Sequence, residues 1–205
     1  AKLNLWQVFP NNLIPALDRM NNGLAGSDFN DRLAKLAGTK TIEFPTVADT
    51  KSAVPINITE MLPAEQRGVF TLQFEDARDW ENTKIILWTD IGVFSHWVND
   101  ELAVFAHNLF SLAPLAQAKV TVYSQKNQVM GSAATDEQGV ALLTNMDTTL
   151  GRPRMVVVET DNDYTFLVLD RRDDDPTAFD AIMPAYDGKG YDAFLYADRN
   201  LYRPG

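Results

Sequence analysis

Apolar residues along this chain recur at a spacing of two far more often than at the three-to-four spacing of a helix, so most of it is expected to be strand. Residues 3–9 alternate, which places Leu3, Leu5 and Phe9 on the inward face of a strand that Pro10 ends. Residues 13–36 break the pattern. Leu13, Leu17 and Met20, then Phe29, Leu33 and Leu36, fall at helical spacing around Gly23 and Gly26. With Ser27 and Asp28 as an N-cap and Gly38 as the stop, they read as two short helices in a connecting excursion. Short strands are expected over 41–44 and 54–58. Phe70, Leu72 and Phe74 share one face of a strand over 68–74, and a charged turn followed by an extended run over 84–89 completes a hairpin.

From Asp90 the alternation becomes more regular. Seven short runs, at 91–97, 101–108, 119–123, 128–133, 140–144, 155–159 and 164–169, are separated by loops rich in Asn, Asp, Gly and Pro. Seven strands with turn signals at that spacing are the expectation for an immunoglobulin-like sandwich. Beyond Asp170 lies an acidic, proline-punctuated stretch, after which residues 193–196 regain strand character. The fold class expected is therefore all-β: tandem immunoglobulin/fibronectin-III-like seven-stranded antiparallel β-sandwiches, the first with a helical insertion at about 13–37. The expected domains are 1–89 and 90–170, with 171–205 a connector and the first strand of a following domain. Phe70, Leu72, Val120, Val122, Val156 and Val158 are the expected cores.

Composition narrows the chemistry. The 205 residues carry a net charge of −10, which disfavours nucleic acid and anionic membrane surfaces, since both are bound through Lys and Arg. There is no cysteine, so disulfides, thiolate zinc sites and cysteine nucleophiles are excluded. No stretch approaches the roughly 20 apolar residues that cross a bilayer. Residues 1–4 do not read as a signal peptide, and residues 201–205 read as an opening, so a piece of a longer chain is expected.

Sites for catalysis are sparse. No glycine pattern suits a phosphate, and Gly131-Ser132 sits inside a strand pattern, not at the strand-to-helix turn of a nucleophile elbow. The two histidines, His96 and His107, lie on strands that could pair and make the rings neighbours; zinc would still need a third ligand, and a surface or gap-filling role is the simpler account. Asp161 and Asp163 lack the continuation of a calcium loop. The run Asp173-Asp174-Asp175 offers no facing carboxylate pair, so solvated loop charge is expected. Trp80, Trp88, Phe94, Trp97, Phe105 and Phe110 are core candidates; exposure of Trp97, before a turn, would instead suit an extracellular adhesion or glycan-binding module. No residue is assigned a catalytic, cofactor-binding or metal-ligating role, and no cofactor is expected.

The string Asp198-Arg199-Asn200-Leu201-Tyr202-Arg203-Pro204-Gly205 closely resembles the motif that opens a macroglobulin domain in the α2-macroglobulin family. Thr89-Asp90-Ile91-Gly92-Val93-Phe94 is similar to the opening of the preceding domain in bacterial members, although Asn99-Asp100-Glu101 replaces a Pro-Gly-Glu turn. Gly68-Val69-Phe70 and Thr135-Asp136-x-x-Gly139 match a strand and a turn of the same family. The resemblance implies a string of macroglobulin sandwiches in a large periplasmic protease inhibitor, any tether to the inner membrane lying elsewhere in the parent. In that family a protease cuts a bait region and is caged as the molecule rearranges, and many members add a Cys-based thioester. Here it implies a non-catalytic scaffold with bait and thioester elsewhere, whose partners are trapped proteases and neighbouring macroglobulin domains. Tyr202, Arg203, Pro204 and Gly205 would shape entry to the next domain.

Overall fold

The computed structural model describes residues 1–21, 32–44, 54–63, 65–75, 83–98 and 101–169. Outside them lie Ser27, Asp28, Phe29, Trp80, the Asp173-Asp174-Asp175 run and the whole of 198–205. Residues Ala1–Leu169 make one compact unit.

Before Asp90 the described residues build one antiparallel sheet. Strand β1 (Lys2–Val8) runs into a single 3-10 turn (Pro10–Asn12) and helix α1 (Leu13–Asn21), then β2 (Ala34–Thr41), β3 (Gly68–Phe74) and β4 (Lys84–Trp88) follow, in the order β2-β1-β3-β4. Alternation on β1 and β3 sends Leu3, Leu5 and Phe70 to one face, where Ile42 and Met61 cover them. Leu72 is half-buried in the same cluster. The expected hairpin forms, Phe70 opposite Ile86.

Several expectations fail here, among them the strand over 41–44, of which only Thr41 is strand. Residues 32–33 are helical, but Ala34–Thr41 is a strand, so Leu36 belongs to β2 and Gly38 pairs with Leu5 instead of ending a helix. The cause is non-local: β1 offers an unpaired edge, and its backbone ladder outweighs a weak helical periodicity. Gly38 is needed for clearance, since a Cβ there would stand 2.9 Å from the Met61 carbonyl oxygen. Residues 54–58, expected as a strand, form no ladder; Val54 and Ile56 pack as a lid on the Leu3–Phe70 cluster. Phe9, placed on the inward face, falls just past β1 and is half-buried.

Seven strands follow: β5 (Ile91–Val98), β6 (Glu101–Asn108), β7 (Lys119–Ser124), β8 (Val129–Ala134), β9 (Val140–Leu143), β10 (Pro153–Glu159) and β11 (Tyr164–Val168). They form a four-stranded sheet, β11-β10-β7-β8, facing a three-stranded one, β5-β6-β9. Leu102, Val104, Val120, Val122, Val156 and Val158 fill the space between them, each fully buried. At about 1.5–3 kcal/mol per such side chain, this cluster is the main stabilising term of the sandwich.

The Thr135-x-x-x-Gly139 turn explains itself locally. The Asp136 Oδ1 accepts the backbone N–H groups of Gln138 and Val140, at 3.0 and 2.8 Å. The Thr135 hydroxyl oxygen accepts the Ala118 N–H at 2.9 Å. Gly139 holds φ +75 with the Ala106 carbonyl oxygen 2.4 Å from where a Cβ would be, a place for glycine alone.

Candidate functional site

Strand β10 reads Met155-Val156-Val157-Val158, and all four side chains are buried. In an antiparallel sheet with one wet face, alternate positions would be polar; a continuous apolar run means both faces are covered. Val156 and Val158 face the sandwich core. Met155 and Val157 point the other way, joining Tyr164 on β11 to Val8, Leu13, Ile14, Ala16 and Val69. The sandwich and the first sheet therefore share a core, with α1 as part of it. The expected packing of Leu13, Leu17 and Met20 is found on this helix.

Polar groups close the rim of that junction. The Arg67 backbone N–H donates to the Asn162 carbonyl at 2.9 Å. Its guanidinium donates to Asp90 Oδ1 at 2.6 Å and lies over the Trp88 ring, 5.2 Å from the centroid. Asp163, in the β10–β11 turn, accepts the Asp90 N–H on Oδ2 at 2.7 Å. The Tyr164 hydroxyl donates to the Val8 carbonyl at 2.6 Å, and its ring lies directly over Gly68. Three consecutive residues, two in the β10–β11 turn and the first of β11, thus pin the coil before β3, the passage between β4 and β5, and the end of β1.

The Asp163 carboxyl is buried, and its Oδ1 has no hydrogen-bond partner among the described residues. Burial pushes its pKa above the ordinary aspartate value, and the nearby Asp90 carboxylate adds to the rise. The Asp90 N–H, the Thr89 hydroxyl and the Arg67 charge pull it back in part. The folded state therefore holds the Asp163 proton more tightly than the unfolded chain does. This contribution to stability is fully present below the ordinary aspartate value and is lost as pH rises through the raised one. Asp163→Asn keeps the oxygen that accepts from Asp90 but cannot ionise. Its unfolding midpoint relative to the native chain is expected to climb with pH across that window and then level off. A difference that is flat from the acid range to neutrality would remove the titrating role given to Asp163.

The other candidate residues are dispersed. The β5–β6 hairpin forms, yet His96 pairs with Ala103 and His107 with Gly92, so the rings are four rungs apart, about 13 Å along the strands. His96 is exposed, and the His107 ring lies over Gly92. Ser132 donates its hydroxyl to the Val120 carbonyl, and Asp161 is exposed in its turn. Trp97 is half-buried and packs on the sandwich core, so it is no open platform. Phe94 and Phe105 stack on each other at 4.5 Å, and Phe110 is the most exposed large apolar side chain among the described residues.

Sequence reasoning missed Arg67, Gly68 and Tyr164 as junction residues. The signal that could have found the junction is the unbroken run Met155 to Val158.

A model described as the bacterial alpha-2-macroglobulin MG3 domain matches residues 88–183, which includes the sandwich. Alpha-2-macroglobulin of Escherichia coli is 26% identical over 99% of this chain and 12% of its own length. The alpha-2-macroglobulin homolog of Yersinia pestis is 25% identical over the whole chain, again 12% of the homolog. The chain thus spans about an eighth of these curated relatives. In fold it is similar to native Escherichia coli alpha-2-macroglobulin solved over the domains NIE-MG1, with a TM-score of 0.67 and 21% identity, covering 82% of each chain. Sequence likeness along the full length and a domain model on the sandwich agree in relating this chain to the bacterial alpha-2-macroglobulins, whose solved structures share its fold.

Proposed function

We propose that this chain is a non-catalytic scaffold portion of a bacterial protease trap of the alpha-2-macroglobulin kind, working in the periplasm. The observation that carries the reading is the shared core at β10, which joins the first sheet and the sandwich into one stiff piece of frame. A trap that closes when a distant bait is cut needs such rigid pieces, because packed cores move as bodies and transmit rearrangement to the interfaces between them. In this reading 1–89 and 90–170 are two macroglobulin-like modules, and 171–205 leads into a third. The bait lies elsewhere in the polypeptide, as does any thioester, for this chain has no cysteine.

The test compares the 205-residue chain with the polypeptide its gene encodes, each mixed with several unrelated proteases. The whole polypeptide is expected to shield a bound protease from a large protein substrate while a small peptide is still cleaved. The chain alone is expected to leave both activities unchanged. Trapping by the chain alone would overturn the scaffold reading, and failure of the whole polypeptide to shield any protease would overturn the inhibitor reading.

A further inference from the structure

The outer face of the β5-β6-β9 sheet is apolar where an antiparallel sheet open to water is ordinarily polar. Alternation turns Leu102, Val104 and Ala106 inward, and it turns Phe94, Ala103, Phe105, Val140 and Leu142 outward, with His96, Glu101 and His107 on the same face around them. Phe94 and Leu142 are 53% and 51% exposed, and the Phe94 and Phe105 rings lie parallel to within 4°. Beside them the loop from Asn108 to Ala113 displays Phe110 and Leu112, 81% and 73% exposed. This loop is tightly built. The Asn108 side-chain oxygen accepts the N–H groups of Phe110 and Ser111 at 3.0 and 2.9 Å, and the Asn108 N–H donates to Ala113. Leu112 is held at φ +59, a conformation costly for a leucine. Between loop and sheet runs a groove of about 460 Å³, lined by Phe94, Phe105 and Leu112, with Glu137 its one carboxylate.

We propose that this face is where another macroglobulin domain of the same polypeptide docks. A chain of net charge −10 that leaves Phe94, Leu142, Phe110 and Leu112 exposed around the half-buried Phe105, with Glu137 and Glu101 at the edge, presents a site for an apolar partner. An anionic lipid surface would call for Lys and Arg, and the groove lining contains neither. A sugar would call for an open ring beside the polar His107, Glu137 and Gln138 of the lining, whereas Phe94 and Phe105 cover each other. The relatives extend far beyond the matched region, and those solved have domains in series, such as MG0-NIE-MG1. A neighbouring domain is thus the partner at highest effective concentration. The proposal rests on the tandem parent of the scaffold reading.

The test places a photo-crosslinking phenylalanine analogue at position 110 of the polypeptide the gene encodes, and at Lys126, exposed in the β7–β8 turn, as control. Position 110 is expected to crosslink within one chain to a peptide outside residues 1–205, with a yield roughly tenfold or more above the control. Adducts between two copies, adducts with lipid or glycan, or a yield equal to the control would each overturn the docking proposal while leaving the scaffold reading standing. A gene product without further macroglobulin domains would overturn both.

Discussion

Gly68→Ala is expected to destabilise the 1–169 unit by about 3 kcal/mol or more, as much as the loss of a large core side chain. Two independent costs meet at this position. The backbone holds φ +137, which side-chain-bearing residues rarely adopt, and a Cβ would lie 2.2 Å from the Tyr164 ring. That ring cannot simply swing aside, because its hydroxyl is tied to the Val8 carbonyl and its body is buried in the shared core. Denaturant titration of the native chain, Gly68→Ala, Tyr164→Leu and the double variant separates the two. In the Tyr164→Leu background the alanine is expected to cost only its backbone part, about 1–2 kcal/mol. An equal cost in both backgrounds, or a loss under about 1 kcal/mol in the native one, would show that Tyr164 does not clamp Gly68.

Phe70→Ala is expected to cost about 3–5 kcal/mol, the usual loss for emptying a fully buried phenylalanine site. More telling is where the loss is felt. Phe70 belongs to the cluster beneath residues 54–62 and touches none of the sandwich core, yet its strand partner face carries Val69 into the core shared with Met155, Val157 and Tyr164. If that shared core couples the parts, the first sheet and the sandwich unfold together. Trp88 reports on the former and Trp97 on the latter. Single-tryptophan variants at these positions are expected to show one common midpoint, shifted equally by Phe70→Ala. A Trp97 signal that stays at its original midpoint while Trp88 moves would mean two independent units and would weaken the rigid-frame reading.

The two changes probe the same property from opposite sides of the junction. Tyr164 belongs to the sandwich and clamps the first sheet; Phe70 belongs to the first sheet and supports, through Val69, the core that the sandwich needs. A scaffold that transmits motion has to resist bending at such places, and the Arg67, Asp90 and Asp163 rim adds direction to the contact more than strength, since the ion pair is half-exposed.

The sequence by itself determined every strand of the sandwich, the 68–89 hairpin and helix α1, because each of these is written as a local period of two or three-to-four with turn residues at its ends. It also determined that no thiol chemistry occurs in this chain. The Thr135 to Gly139 turn was legible for the same reason: its hydrogen bonds close within five residues. Only the tertiary structure decided what depends on partners distant in the chain. Leu36 and Gly38 entered a strand because β1, thirty residues earlier, had an edge to pair, and Ile56 became part of a lid because Phe70 needed covering. Val156 and Val158 were read as core; the unbroken apolar run through Val157 signals a second covered face, but which body covers it is not written in the run. That second body makes 1–169 a single unit, and it exists only where Met155, Val157 and Tyr164 meet Val8 and α1 in space.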